Sequence, residues 1–224
     1  MSERRVDVST APMDVAARET NRVLKNTYML LGMTLAFSAV TATISTLLML
    51  PFFMYWVFAL SGLVLLFVVH KMADSAKGLP AIFAFTGVMG LALGPLLNIY
   101  LAVENGPNLV LQSLGGTALI FFGLSAYALQ SKRDFTFMSG FLFAGLLVAI
   151  FAAIANIFLG IPALSLTISA AIVMMMAGYI LMDTSRIVHG GETNYIRATV
   201  GLYLNIFNLF INLLHLLGAF GGDD

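Results

Sequence analysis

No cysteine occurs anywhere in the 224 residues, which excludes disulfides, thiolate metal sites and cysteine nucleophiles. Charge is nearly as scarce. Asp, Glu, Lys and Arg make up 10% of the chain, against about 25% in a soluble domain, so there is too little polar surface to cover a globule. The signatures of metalloproteases, serine hydrolases and phosphate-binding loops (HExxH, GxSxG, GxxxxGK) are missing. Asp183 is the one acid inside or at the edge of an apolar run, so an intramembrane aspartyl protease would lack its second carboxylate. These absences point away from an enzyme. The formal charge balances at zero, which favours neither nucleic acid nor an anionic surface as a partner.

What the chain has instead is hydrocarbon: 60% of its residues are hydrophobic. Seven apolar runs, over residues 28–50, 52–69, 81–103, 109–129, 135–158, 162–182 and 200–218, predict an all-α polytopic membrane protein with lipid as its first partner. The connections are short and force neighbouring spans antiparallel, giving a seven-helix bundle over 28–220 with a brief end over 221–224. The last run is the least apolar, and a re-entrant half-helix stays open as its alternative. Residues 1–27 mix charges and carry few large apolar side chains, which predicts a flexible, solvated tail rather than a signal peptide. No internal repeat is visible, and an odd number of spans argues against an inverted-repeat transporter.

Lysine and arginine are distributed with a sign. Beyond the tail they occupy only Lys71 and Lys77, Lys132 and Arg133, and Arg186 and Arg197, which are alternate connections. The positive-inside rule then predicts a cytoplasmic N-terminus and an external C-terminus.

Two helix faces stand out. In the last run Gly201, Asn205, Asn208, Asn212 and His215 fall within an arc of roughly 80°, a polar stripe that lipid cannot satisfy and that places this helix at the centre of the bundle, against other helices or a water-filled cavity. Asn208 and Asn212 are expected as hydrogen-bonding links between helices, and His215, near the outer end, as an ordinary residue. In the third run Gly87, Gly90 and Gly94 share a face with Asn98 and predict close helix packing. Pro95 frees the carbonyl of Leu91, which predicts a kink there, with Asn98 or a water as partner. Asp183 reads equally well as a structural acid near a helix end, paired with His70, Lys71 or Arg186, and as part of an ion pathway. His189 and Glu192 have no companion ligands at zinc spacing, so no metal site is expected.

The strings TLAFSAVTATIS, FAFTGVMGLALGP, LGGTALIFFGLSAY, ANIFLGIPAL and HGGETNYIRATVGLYLNIFNLF resemble the Bax inhibitor-1 family of membrane proteins across nearly the whole chain. The polar HGGETNYIRAT string is the most specific, because no hydrophobic bias produces it. The resemblance implies a seven-helix fold with the last helix surrounded by the others, and no cofactor is expected. It implies a regulator of the bacterial inner membrane that binds and restrains the membrane-anchored AAA+ protease FtsH, with a Ca2+ leak gated by two aspartates as the alternative. Asp183 stands at the first aspartate position, whereas Asn205, in LYLNIFNLF, replaces the second. Two nearby carboxylates titrate as a unit and hold a divalent cation; Asp183 with Asn205 loses that coupling and one formal charge. The family's basic residue at the inner end of the second span matches His70 or Lys71.

The charge alternation has a direct check. A reporter enzyme that works only outside the cytoplasm, fused after Asp224, is expected to be active; activity of a cytoplasm-only reporter there would overturn the orientation.

Overall fold

The computed structural model describes the backbone of residues 11–131 and 133–221 and the side chains of 18–131 and 133–221. The first ten residues of the expected tail, Lys132 and residues 222–224 of the expected end lie outside the described residues. Seven α-helices follow one another: α1 Ala11–Leu47, α2 Phe53–Met72, α3 Gly78–Leu101, α4 Gly106–Ser131, α5 Ser139–Leu159, α6 Pro162–Val188 and α7 Tyr195–Gly221. A 3-10 turn, Thr136–Met138, leads into α5. All seven are long and apolar enough to cross a membrane.

Two boundaries differ from the sequence expectation. α1 begins at Ala11 and not at Tyr28, so the described part of the expected flexible tail continues the helix, built from the good helix formers of AARETNRVLK. At the other end, α7 starts at Tyr195 and takes the second half of the HGGETNYIRAT string into its first turn.

α7 packs against α1, α3, α4 and α6, while α2 lies on α3 and α5 on α6. The last helix is thus the axis of the bundle. Its side chains Thr199, Val200, Leu202, Tyr203, Leu209 and Leu214 are all within 1% of full burial. The large apolar side chains of α2 and α5, such as Phe67, Phe143 and Phe151, point outward and are exposed, as a lipid solvent requires.

The contact between α1 and α3 is made close by glycine. A Cβ on Gly87 would stand 2.7 Å from the Phe37 ring, one on Gly90 would overlap the Ser38 carbonyl and the Thr41 hydroxyl, and one on Gly94 would overlap Ser45. Because the backbones are this near, the hydroxyl of Ser45 reaches across and donates to the Leu91 carbonyl at 2.8 Å. That is the carbonyl freed by Pro95, and its partner is Ser45 of α1 instead of the expected Asn98 or water. Deeper in the bundle Ser38 and Tyr203 share a hydrogen bond of 2.7 Å that links α1 to α7.

Replacing Gly90 by Ala is expected to force α1 and α3 apart and to lower stability by about 1–3 kcal/mol, whereas Gly115→Ala, where nothing lies within 4 Å, is expected to be neutral. Ser45→Ala is expected to cost about 1–3 kcal/mol by leaving the Leu91 carbonyl unpaired. Thermal unfolding in detergent checks all three, and equal midpoints for Gly90→Ala and Gly115→Ala would contradict the packing argument.

Candidate functional site

α6 and α7 run side by side, and the link between them fixes both ends of the site. Gly190, at φ +74°, stops α6 in the left-handed conformation that glycine adopts without strain, and the Gly191 N–H returns to the Arg186 carbonyl at 2.8 Å. Asn194 then caps α7: its side-chain oxygen accepts from the N–H groups of Ile196 at 2.9 Å and Arg197 at 3.2 Å. Its amide nitrogen donates to the Asp74 carboxylate at 2.7 Å and to the Ala73 carbonyl at 3.0 Å, and Arg197 pairs with the same Asp74. The glycines, Asn194 and Arg197 of the most specific string therefore have structural work: they end one helix, start the next and tie both to the α2–α3 turn. Ser185 makes a parallel tie to the α4–α5 connection, accepting from the Phe135 N–H at 3.0 Å and donating to the Arg133 carbonyl at 3.2 Å.

Inside this frame Asp183 and Asn205 come together. Asn205 is buried at 7% exposure, and its amide donates to the Asp183 carboxylate at 2.8 Å. Gly201, one turn before Asn205, makes the approach possible, since a Cβ there would stand 3.2 Å from the carboxylate oxygen. Below the pair opens a cavity of 340 Å³ lined by His70, Asp183, Arg186, Glu192 and Arg197 among others. Of the two basic candidates on α2, His70 lines this cavity and Lys71 is exposed outside it. The His70 Nδ1 lies 3.0 Å from the Leu66 carbonyl of its own helix.

The rest of the polar stripe behaves differently from the expectation. Among the described residues Asn208 and Asn212 bond to no other helix; each donates its amide to the carbonyl one turn earlier in α7, Leu204 and Asn208 respectively, at 2.8 Å. A side chain that folds back on its own helix leaves its oxygen free, and Asn212 lines a second cavity, of 330 Å³, with Asn156, Ser165 and Ser169. His215, expected to be ordinary, shares a 2.8 Å hydrogen bond with Ser169 of α6. The half-buried part of the stripe thus faces α6 and its flank, while the apolar face of α7 carries the deepest packing.

Chemically, the arrangement offers one carboxylate held by an amide in a polar vestibule, with acids and bases of both signs at its mouth. Among the described residues no three His, Asp or Glu side chains converge as a metal centre. Sequence reasoning passed over Asp74, Asn194 and Ser185. Asn194 carried a legible signal, an Asn immediately ahead of a helical run; the residues that Asp74 and Ser185 tie across the fold lie 50 or more positions away in sequence, and only the fold reveals them.

Asn194→Ala is expected to remove the cap and the tie to Asp74 together, costing about 1 kcal/mol and speeding amide hydrogen exchange in residues 194–199. The salt bridge itself is exposed, with 39% and 67% of the two side chains accessible, so Arg197→Ala is expected to do less. Exchange measured by mass spectrometry separates the two, and identical protection in both variants and the parent would overturn the assignment of the cap.

The family described as "Inhibitor of apoptosis-promoting Bax1" matches residues 20–222. A protein of Escherichia coli K12 named "Modulator of FtsH protease YccA" is 49% identical over 96% of this chain and 98% of its own, and the E. coli O6:H1 counterpart is named "Inner membrane protein YccA". A membrane protein of Vibrio cholerae is 50% identical over 92% of this chain and 93% of its own, and a protein of Pseudomonas aeruginosa is 45% identical over 100% of both.

Proposed function

The chain belongs to the Bax inhibitor-1 family, and from that premise we propose that it is an inner-membrane protein that binds and restrains the FtsH protease and is not itself an enzyme. The observation that carries this reading is the 49% identity, over nearly the full length of both chains, to the E. coli modulator of FtsH. The absence of catalytic motifs in the sequence agrees with a regulator. The orientation proposed with it, N-terminus in the cytoplasm and C-terminus outside, rests on the alternation of Lys and Arg between connections; it puts the Asn194 clamp and the His70–Asp183 vestibule at the cytoplasmic face. Tagged full-length chain solubilised from native membranes is expected to bring FtsH with it and, when added to the protease, to slow degradation of a membrane substrate. Copurification of neither partner with the other would overturn the reading.

A second reading, a leak for Ca2+ or another cation, is favoured by the polar vestibule in which Asp183 and Asn205 meet. With an amide in place of a second carboxylate, the site lacks one charge for a divalent ion and has no coupled pair of acids. The natural chain in liposomes is therefore expected to pass Ca2+ weakly or without dependence on pH. Asn205→Asp, which sets a second carboxylate against the first, is expected to raise the flux and make it pH-dependent, and Asp183→Asn on top of it to abolish the gain. Strong acid-gated flux through the unmutated protein, read with a calcium dye, would contradict this and point to His70.

A further inference from the structure

Two cavities lie on the seam between α6 and α7. The vestibule reaches Asp183 on α6 and Leu204 on α7. The second cavity, of 330 Å³, reaches Ile172 on α6 and Asn212 on α7, and α5 completes it with Ala153, Asn156 and Ile157. Asn208 stands between them, one turn from Leu204 and one turn from Asn212. Along the axis of α7 the gap from Leu204 to Asn212 is only about 12 Å.

We propose that the second cavity is an aqueous recess open to the external face and that it is the outer entrance of the cation path, a role that rests on the leak reading above. Its depth fits an entrance. α5 ends at Leu159 and α6 begins at Pro162, and the lining starts at Ile157 and Ser165, within about 5 Å of those two ends. On α6 the lining continues to Ile172, about 15 Å from Pro162, which is half of a hydrocarbon core about 30 Å thick. The recess therefore runs from the turn at Gly160, external in the proposed orientation, to the level of the midplane.

Its chemistry fits water. Four of the eight lining residues, Asn156, Ser165, Ser169 and Asn212, carry an amide or a hydroxyl. Asn156 accepts from the Ile161 N–H at 3.1 Å, and His215 holds Ser169 at 2.8 Å. Asn212 gives its amide nitrogen to the Asn208 carbonyl and keeps its oxygen free. Among the described residues the Thr27 hydroxyl is the one buried side-chain group left without a partner, so the free groups of this lining are accessible and not sealed in. Donors and acceptors at several points around one space give water the roughly two to four polar partners that it needs, whereas a lipid chain would leave them unsatisfied. Among the described residues no acid or base lines the recess, so it takes a cation with its hydration shell and does not bind it in a cage of carboxylates.

The barrier between recess and vestibule consists of side chains that can move. Over this stretch α6 carries Met175, Met176 and Ile180, all buried, and α7 carries Asn208, folded back on the Leu204 carbonyl. Unbranched methionines repack without a shift of backbone. Asn208, released from its own helix, offers an amide midway between Asn205 and Asn212.

The chain has no cysteine, so single introduced thiols report alone, and a thiol reacts as its thiolate, which forms in water and not in hydrocarbon. Full-length Ala153→Cys and Ser165→Cys, in the lining, are compared with Ala155→Cys and Ala170→Cys, exposed positions beside the same stretches of α5 and α6 but outside the lining. A membrane-impermeant trimethylammonium thiosulfonate added to spheroplasts is expected to modify the two lining cysteines at least ten-fold faster than the two controls. Equal rates at all four positions, or reaction of the lining cysteines only in inverted vesicles, would overturn the recess. The entrance has its own arm. In an Asn205→Asp background, modification of Ala153→Cys before reconstitution is expected to cut Ca2+ flux several-fold and modification of Ala155→Cys to leave it unchanged, while Asn208→Leu removes the gain. Flux that persists after the lining cysteine is modified would overturn the entrance. Fast labelling of the lining together with no flux through Asn205→Asp would instead sink the leak reading and leave the recess established.

Discussion

A carbonyl that loses its donor inside a lipid bilayer has no water to turn to, and the protein must supply the replacement. The Ser45–Leu91 hydrogen bond meets that demand where Pro95 breaks the ladder of α3, and the rest of the α1–α3 interface follows from it. Ser45 reaches only because the backbones are close, and they are close only because Gly87, Gly90 and Gly94 carry no side chain. Proline, glycine and serine on two helices thus form a single device: one residue opens a gap in the ladder, three bring a neighbour near, and the last fills the gap. Ser38, one turn from Thr41 on the same helix, extends the device to the axis of the bundle through Tyr203.

The same demand governs the polar groups of α7, and it has three different solutions along one helix. Asn205 is satisfied by a carboxylate from α6, His215 by a hydroxyl from α6, and Asn208 and Asn212 by their own backbone. The first two fasten helices together. The latter two cost the bundle no partner, and of them Asn212 lines a cavity, where a layer of water would find ligands.

Much of the architecture was legible because membrane helices advertise themselves: the apolar runs, their short connections and the glycine face of the third run each follow from lipid as solvent. The helix ends were less so. α1 reaches back to Ala11 because charged, Ala-rich sequence is compatible with helix as well as with a tail, and hydropathy cannot tell the two apart. The site was legible in part. Asp183 and Asn205 stood out as polar groups in apolar runs, and the choice of His70 over Lys71 came only with the cavity that His70 lines. The clamp at Asp74 was invisible, since a pairing between residues 74, 194 and 197 leaves no trace in local pattern. The Asn208 and Asn212 expectation failed for a physical reason: an Asn side chain is long enough to reach the carbonyl one turn back, and that partner is always at hand.

Placing the C-terminal helix at the axis has a consequence for how the molecule is made. A ribosome delivers α1 and α3 early, and their glycine contact is available as soon as both are in the bilayer, but the helix on which α1, α4 and α6 converge emerges last. Until it arrives, α1, α3, α4 and α6 flank a vacancy, with Ser38 and Asp183 still without the α7 side chains that they bond. Assembly therefore closes inward at its final step, and a chain interrupted anywhere before Tyr195 is not a shorter version of the bundle but a ring without its core.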